Sequence, residues 1–204
     1  MDLFHTARVH VARFDALRDR IAPGMRLTHH VHEDWLDRAR TAGVTDALAD
    51  EIKDAIHAGK GTALCTCTTL GPVAEAAGAL RIDRPLMEEA AQIGGRICLV
   101  YCLESTAESS EELLQNCILA RGHRATLDLL CLKDLWPLFE TGQTTAFAQA
   151  IANAIRMHRE RVPDINCIVL AQASMDGAAL HLTDLGIPVL AAPELAFRAA
   201  LIRQ

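Results

Sequence analysis

Short apolar segments recur along this 204-residue chain, each followed by a polar turn and a helical pattern. The segments at 1–6, 25–31, 61–64, 96–103, 125–132, 167–172 and 187–192 read as strands. Several are apolar on both faces, as strands are when helices cover both sides of a sheet. Helical patterns lie between them. One carries Val9, Val11, Phe14, Leu17 and Ile21 on one side; others fall at 34–42, 45–58, 71–77, 85–93, 108–121, 134–140, 144–160 and 193–203, with another from 175 to about 184. Pro23-Gly24, Gly43, Gly59 and Pro163 stop helices. Strands alternating with helices in this way predict α/β layers with mostly parallel sheets.

The two halves repeat each other. Each runs strand, polar turn, helix, strand, helices, apolar strand, polar turn, helix and extended segment, the first half closing in Leu80-Arg81-Ile82-Asp83-Arg84-Pro85. Cys67 lies 61 residues after Thr6, and Gln172 lies 67 residues after Ser105. The turn Cys67-Thr68-Thr69-Leu70 thus has a partner in Gln172-Ala173-Ser174-Met175. The expected organisation is two pseudo-symmetric three-layer α/β lobes, 1–83 with 188–204 and 84–187, facing each other across a cleft. Ligands of open α/β sheets sit at the carboxyl ends of the strands, where these turns lie.

Half of the residues are hydrophobic, enough for a sizeable core, and the net charge is −6. That charge argues against nucleic acid or an anionic membrane as a partner. No apolar run reaches the ~18 residues of a transmembrane helix, and the first residues lack a signal-peptide pattern. A cytoplasmic location is expected. Seven cysteines are an odd number at irregular spacing. Cys65 and Cys67 are too close in sequence for the usual zinc or dithiol spacing. Cys98, Cys102, Cys117, Cys131 and Cys167 read as small core residues.

The stretch with most chemical content is Cys65-Thr66-Cys67-Thr68-Thr69-Leu70-Gly71. It joins an apolar strand to a helix with Pro72 near its first turn. Unpaired N–H groups there favour an anion and should lower the pKa of Cys67. Thr hydroxyls and backbone N–H groups holding a carboxylate beside a thiolate would make a proton-transfer site. A buried, inert cysteine beside a helix cap is the alternative. His5, His10 and Arg8 flank the first turn. His5 could polarise a carbonyl, orient Cys67, or simply cap the next helix; Arg8 could pair with a carboxylate or lie solvated. His29-His30-Val31-His32 invites a metal reading, but neighbouring residues on a strand point to opposite faces, so it reads as a solvated strand end. Trp136 and Phe139 read as core. No Gly-rich phosphate loop is present.

The order of Cys67-Thr68-Thr69, Ile168-Val169-Leu170-Ala171 and Gly186-Ile187-Pro188-Val189-Leu190, with His5-Thr6-Ala7 and Arg81-Ile82-Asp83-Arg84-Pro85, resembles the aspartate/glutamate racemase superfamily over nearly the whole chain. That superfamily includes hydantoin racemase, maleate isomerase and arylmalonate decarboxylase. The resemblance implies two lobes and no cofactor, and no metal site is expected. It also implies a cysteine in each lobe, acting on opposite faces of a substrate α-carbon. Cys67 matches the first cysteine, and Thr68 and Thr69 its carboxylate-binding neighbours. Thr6 and His5 fall in the first-strand turn, Ser105 or Thr106 in its second-lobe counterpart, and Ala173 and Ser174 in the second-lobe turn. The second cysteine is replaced by Gln172, which has no titratable proton. The implied function is cysteine-mediated proton transfer on a small amino or carboxylic acid by a racemase-like isomerase. A one-cysteine decarboxylase or lyase on a malonate-type acid, and a carboxylate-binding protein without catalysis, are the alternatives. A homodimer is left open.

Overall fold

The computed structural model describes residues 1–122 and 124–203. The chain divides into two units, Met1–Pro85 with Pro193–Gln204, and Leu86–Ala192.

The first unit begins with β1 (Asp2–His5), α1 (Val9–Ile21), β2 (Thr28–Val31), α2 (Glu33–Ala42), α3 (Asp46–Ala58), β3 (Ala63–Cys65), α4 (Gly71–Ala76) and β4 (Leu80–Arg81). Its strands form one parallel sheet in the order β2-β1-β3-β4. Period-two alternation decides what each face buries. Phe4, Cys65 and Cys67 join Trp35, Ala39, Leu48, Ile52, Ile56, Leu70 and Ala74 in one core, covered by α2, α3 and α4. On the other side His5 packs against Phe14 of α1. α3 shows how the sequence encodes its helix. Thr45 caps its first turn by accepting from the Leu48 N–H. Leu48, Ile52 and Ile56 then recur every four residues as a buried stripe. Each contributes about 1.5–3 kcal/mol by burial.

The second unit carries α5 (Arg84–Ile93), which begins at the boundary, then β5 (Gly95–Tyr101), α6 (Glu104–Ala120), β6 (Ala125–Cys131), a 3-10 turn (Lys133–Leu135), α7 (Trp136–Glu140), α8 (Thr144–Arg161) and β7 (Ile165–Leu170). A 3-10 segment (Ala173–His181) and β8 (Val189–Ala191) complete it, and α9 (Ala192–Ile202) returns the chain to the first unit. The sheet order is β6-β5-β7-β8, again all parallel. Both sheets therefore use the same pattern: second strand, first, third, fourth. The backbone bonds repeat as well. Thr66 N–H donates to the Phe4 carbonyl at 2.9 Å, and Ala171 N–H donates to the Val100 carbonyl at 2.9 Å.

Three expectations change. The extended segment after Ala79 contains a true fourth strand, Leu80–Arg81, paired with β3. The last strand pairs with β7, so residues 188–192 belong to the second unit rather than the first. The helix expected to run to about 184 is a 3-10 segment ending at His181. Cys98, Cys102, Cys117 and Cys167 are buried, but Cys131, on the edge strand β6, is exposed. No described helix is long and apolar enough to cross a membrane.

Candidate active site

Cys67 lies two residues beyond β3, on the turn into α4. The Thr6 hydroxyl and the backbone N–H groups of Thr69 and Leu70 stand beside its sulfur as donors that favour the thiolate. Thr6 follows β1 directly, so two neighbouring strand ends converge on one sulfur atom. Thr68 and Thr69, both buried, stand beside it in the turn, which the Gly71 N–H closes on the Thr68 carbonyl at 3.0 Å. Burial pushes the Cys67 thiol up, and the three donors pull it back without cancelling the rise. The expected lowering is thus reversed. α4 has only six residues, and a buried thiolate loses more hydration than that short helix end returns. Cys65 is a different case. Its thiol donates to the Cys67 carbonyl at 3.6 Å, and burial holds it protonated.

A buried ion pair supports this turn from below. Arg81 Nε and Nη2 donate to the two oxygens of Asp83 at 2.7 and 2.8 Å. Both side chains are buried. A Cβ on Gly71 would stand 2.9 Å from Arg81 Nε, so only glycine lets the start of α4 lie on the guanidinium. In the sequence this segment reads as an extended connector, and the ion pair shows there only as opposite charges two residues apart.

His5 does not orient Cys67, and it does not cap the next helix. It is fully buried, with Nδ1 at 2.8 Å from Thr66 Oγ1 and Nε2 at 2.8 Å from His29 Nδ1. Thr66 Oγ1 donates to the Phe4 carbonyl, so it accepts from His5 Nδ1–H. Neutral His5 then presents a bare Nε2, which accepts from His29 Nδ1–H. Burial, with the nearby His29 and His30, lowers the His5 pKa to about 3; burial, with Arg13 and His5, lowers that of His10 to about 3. Arg8 is exposed at the N-cap of α1. The histidines of β2, with His32 just beyond it at the N-cap of α2, are not a solvated strand end. His29 bonds His5, His30 stacks on Phe4 and bonds Asp2, and His32 stacks on Trp35 at 3.7 Å.

In the second unit Gln172 lies two residues beyond β7, as Cys67 lies two beyond β3. Its Oε1 accepts from the N–H groups of Cys102 and Leu103 at 2.6 and 3.1 Å. Two converging donors require the oxygen there, so the NH2 group points the other way and can only donate. Ala173 and Ser174 follow in the buried turn, and Ser174 Oγ is buried without a hydrogen-bond partner. The register corrects one assignment. Phe4 pairs with Cys65, and Val100 pairs with Leu170, so the counterpart of Thr6 is Cys102. Ser105 and Thr106 instead sit in the first turn of α6, Ser105 half-buried and Thr106 buried. The thiol of Cys102 is pushed up to about 12 by burial and by Cys131. The apolar run continues past the end of strand pairing at Tyr101, so the sequence alone hides this position.

No protein-family model matches the chain, and no curated protein matches it in sequence. Solved structures do share its fold. The aspartate racemase of Picrophilus torridus superposes with a TM-score of 0.68 at 13% identity, over 100% of this chain and 93% of that one. The allantoin racemase of Pseudomonas fluorescens gives 0.68 at 16% identity, over 100% and 91%. A mutant of arylmalonate decarboxylase in a sulfate-associated form gives 0.56 at 15% identity, over 98% and 91%.

Proposed function

We propose that the chain is a cofactor-independent enzyme of the aspartate/glutamate racemase superfamily, moving a proton at the carbon next to a carboxylate of a small acid. The observation that carries this reading is the set of three donor groups gathered around Cys67 Sγ at the ends of β1 and β3. An inert core thiol has no use for a hydroxyl and two N–H donors on its sulfur. Those donors favour the thiolate, the form that removes a proton. The racemase and decarboxylase structures that share the fold support the reaction class.

In this reading the substrate carboxylate takes hydrogen bonds from Thr68 and Thr69. The Cys67 thiolate removes the α-proton, the C–H electron pair passes into an enediolate, and the resulting thiol returns a proton to the same carbon. Gln172 contributes its NH2 group, which can stabilise an enediolate oxygen but cannot exchange protons. Ser174 Oγ, buried and unpartnered, is a further donor for the substrate. One titratable group where racemases of this superfamily have two also supports a second reading, decarboxylation of a malonate-type acid. There CO2 leaves first, and the Cys67 thiol protonates the enediolate from one side.

Native protein and Cys67→Ala are to be compared on aspartate, glutamate, allantoin and phenylmalonate. Turnover of one of these that disappears in Cys67→Ala is expected. An acid bound equally by both variants and converted by neither would identify a binding protein instead.

A further inference from the structure

The second unit contains a cluster that plays no part in this chemistry. Cys98 of β5 and Asp128 of β6 pair directly across neighbouring parallel strands, so both project from the same face of the sheet. His158 of α8 meets them there. The helix buries Ala148, Ile151, Ala152 and Ile155, and His158 continues that sheet-facing stripe one turn further. His158 Nε2 lies 2.5 Å from Asp128 Oδ2, and the Cys98 sulfur faces the same carboxylate. One ligand atom from each residue lies within 4.8 Å of the other two.

We propose that Cys98, Asp128 and His158 form a binding site for one divalent transition-metal ion of the zinc type, which pins α8 to β5 and β6. Sulfur, imidazole nitrogen and carboxylate oxygen are the three donor types that zinc accepts, whereas calcium and magnesium take oxygen. Tetrahedral zinc with ordinary bond lengths separates its donors by about 3.3–3.6 Å. The His158–Asp128 contact opens and the wider gaps close by about an ångström, which side-chain rotation supplies. Cys98 is buried, while the Asp128 and His158 side chains are 21% and 19% exposed, so an ion has a path in and water can take the fourth position. As the metal–sulfur bond forms, the thiol proton leaves to solvent. The thiolate and the carboxylate then balance the two positive charges, with the imidazole neutral. All three donors come from regular elements, which hold a ligand set more rigidly than loops.

The test uses the full chain, freed of metal by a chelator and titrated with cobalt(II), then with zinc. One equivalent of cobalt should bind with a thiolate-to-metal charge-transfer band, and zinc should displace it. Cys98→Ala should lose the band. Asp128→Asn and His158→Gln should weaken zinc by at least the roughly 10–100-fold that outer-sphere partners are worth. Zinc should raise the melting temperature of the native chain and not of these variants. Cys131→Ser, which removes the exposed thiol, should leave the band intact. A band that survives Cys98→Ala, or one lost in Cys131→Ser, would overturn the site, as would the absence of stoichiometric binding. If the variants fail to fold, zinc-edge X-ray absorption on the native chain decides: one sulfur with nitrogen and oxygen neighbours is expected, and a shell without sulfur refutes it.

Discussion

At Cys67 two opposing effects meet on one atom. Burial raises the thiol pKa, and three hydrogen-bond donors lower it. Removing one donor should move the balance in a known direction. Thr6→Val is expected to raise the pKa further, because it removes one donor that favours the thiolate. The pH dependence of iodoacetamide labelling at Cys67 reads this directly; an unchanged or more acidic profile would mean that Thr6 does not act on the sulfur. His5 and His10 make a second prediction. Each has a folded pKa of about 3 against an ordinary 6.5, so between these values the unfolded chain binds more protons. Their contribution to stability is complete above about pH 6.5 and is lost as the pH falls toward 3. Urea unfolding at about pH 5 should show roughly 2 kcal/mol less stability per histidine than at neutral pH. Equal stability at both would place the two imidazoles in contact with water. Cys67 was legible because a polar triplet between an apolar strand and a proline stands out locally. The His5–Thr66–His29 chain was not, because its members lie up to 61 residues apart and meet only through sheet register.

Among elements, the turn into α4 lies directly on a buried ion pair. Gly71→Ala would drive a Cβ into Arg81, which Asp83 holds by two bonds. The expected cost is about 1–3 kcal/mol in denaturant unfolding. Asp83→Ala should cost more, about 3–5 kcal/mol, since it leaves a buried guanidinium unpaired. Near-neutral values for both would show that the pair does not support the turn. Alternating apolar strands and helices made the layered, parallel architecture readable. The strand Leu80–Arg81 was harder to see, since two residues carry no period and only pairing with β3 makes them a strand. The same cause misplaced the end of β5. The apolar run continues through Cys102 and Leu103, but pairing with β6 and β7 stops at Tyr101 and Val100.

For the whole molecule, the identical strand order of the two sheets shows a repeated α/β unit, and the repeat sets Gln172 as the counterpart of Cys67. The sequence repeat already matched those two turns, since each follows an apolar strand at a fixed distance. It could not show that Gln172 spends its oxygen on the start of α6, a contact made across 70 residues. In the proposed reaction, an amide so fixed would make proton transfer one-sided. Gln172→Cys should raise inversion relative to exchange, while costing about 1–3 kcal/mol for the two N–H groups left without their acceptor. The most direct measurement follows α-hydrogen exchange and inversion together in deuterated buffer, on each enantiomer of aspartate and glutamate. The chirality of the product from prochiral methylphenylmalonate is measured beside them. One enantiomer should exchange with retention much faster than it inverts, or the malonate should give a single enantiomer, and either activity should vanish in Cys67→Ala. Exchange and inversion at equal rates, or exchange that survives in Cys67→Ala, would contradict a single cysteine working from one side.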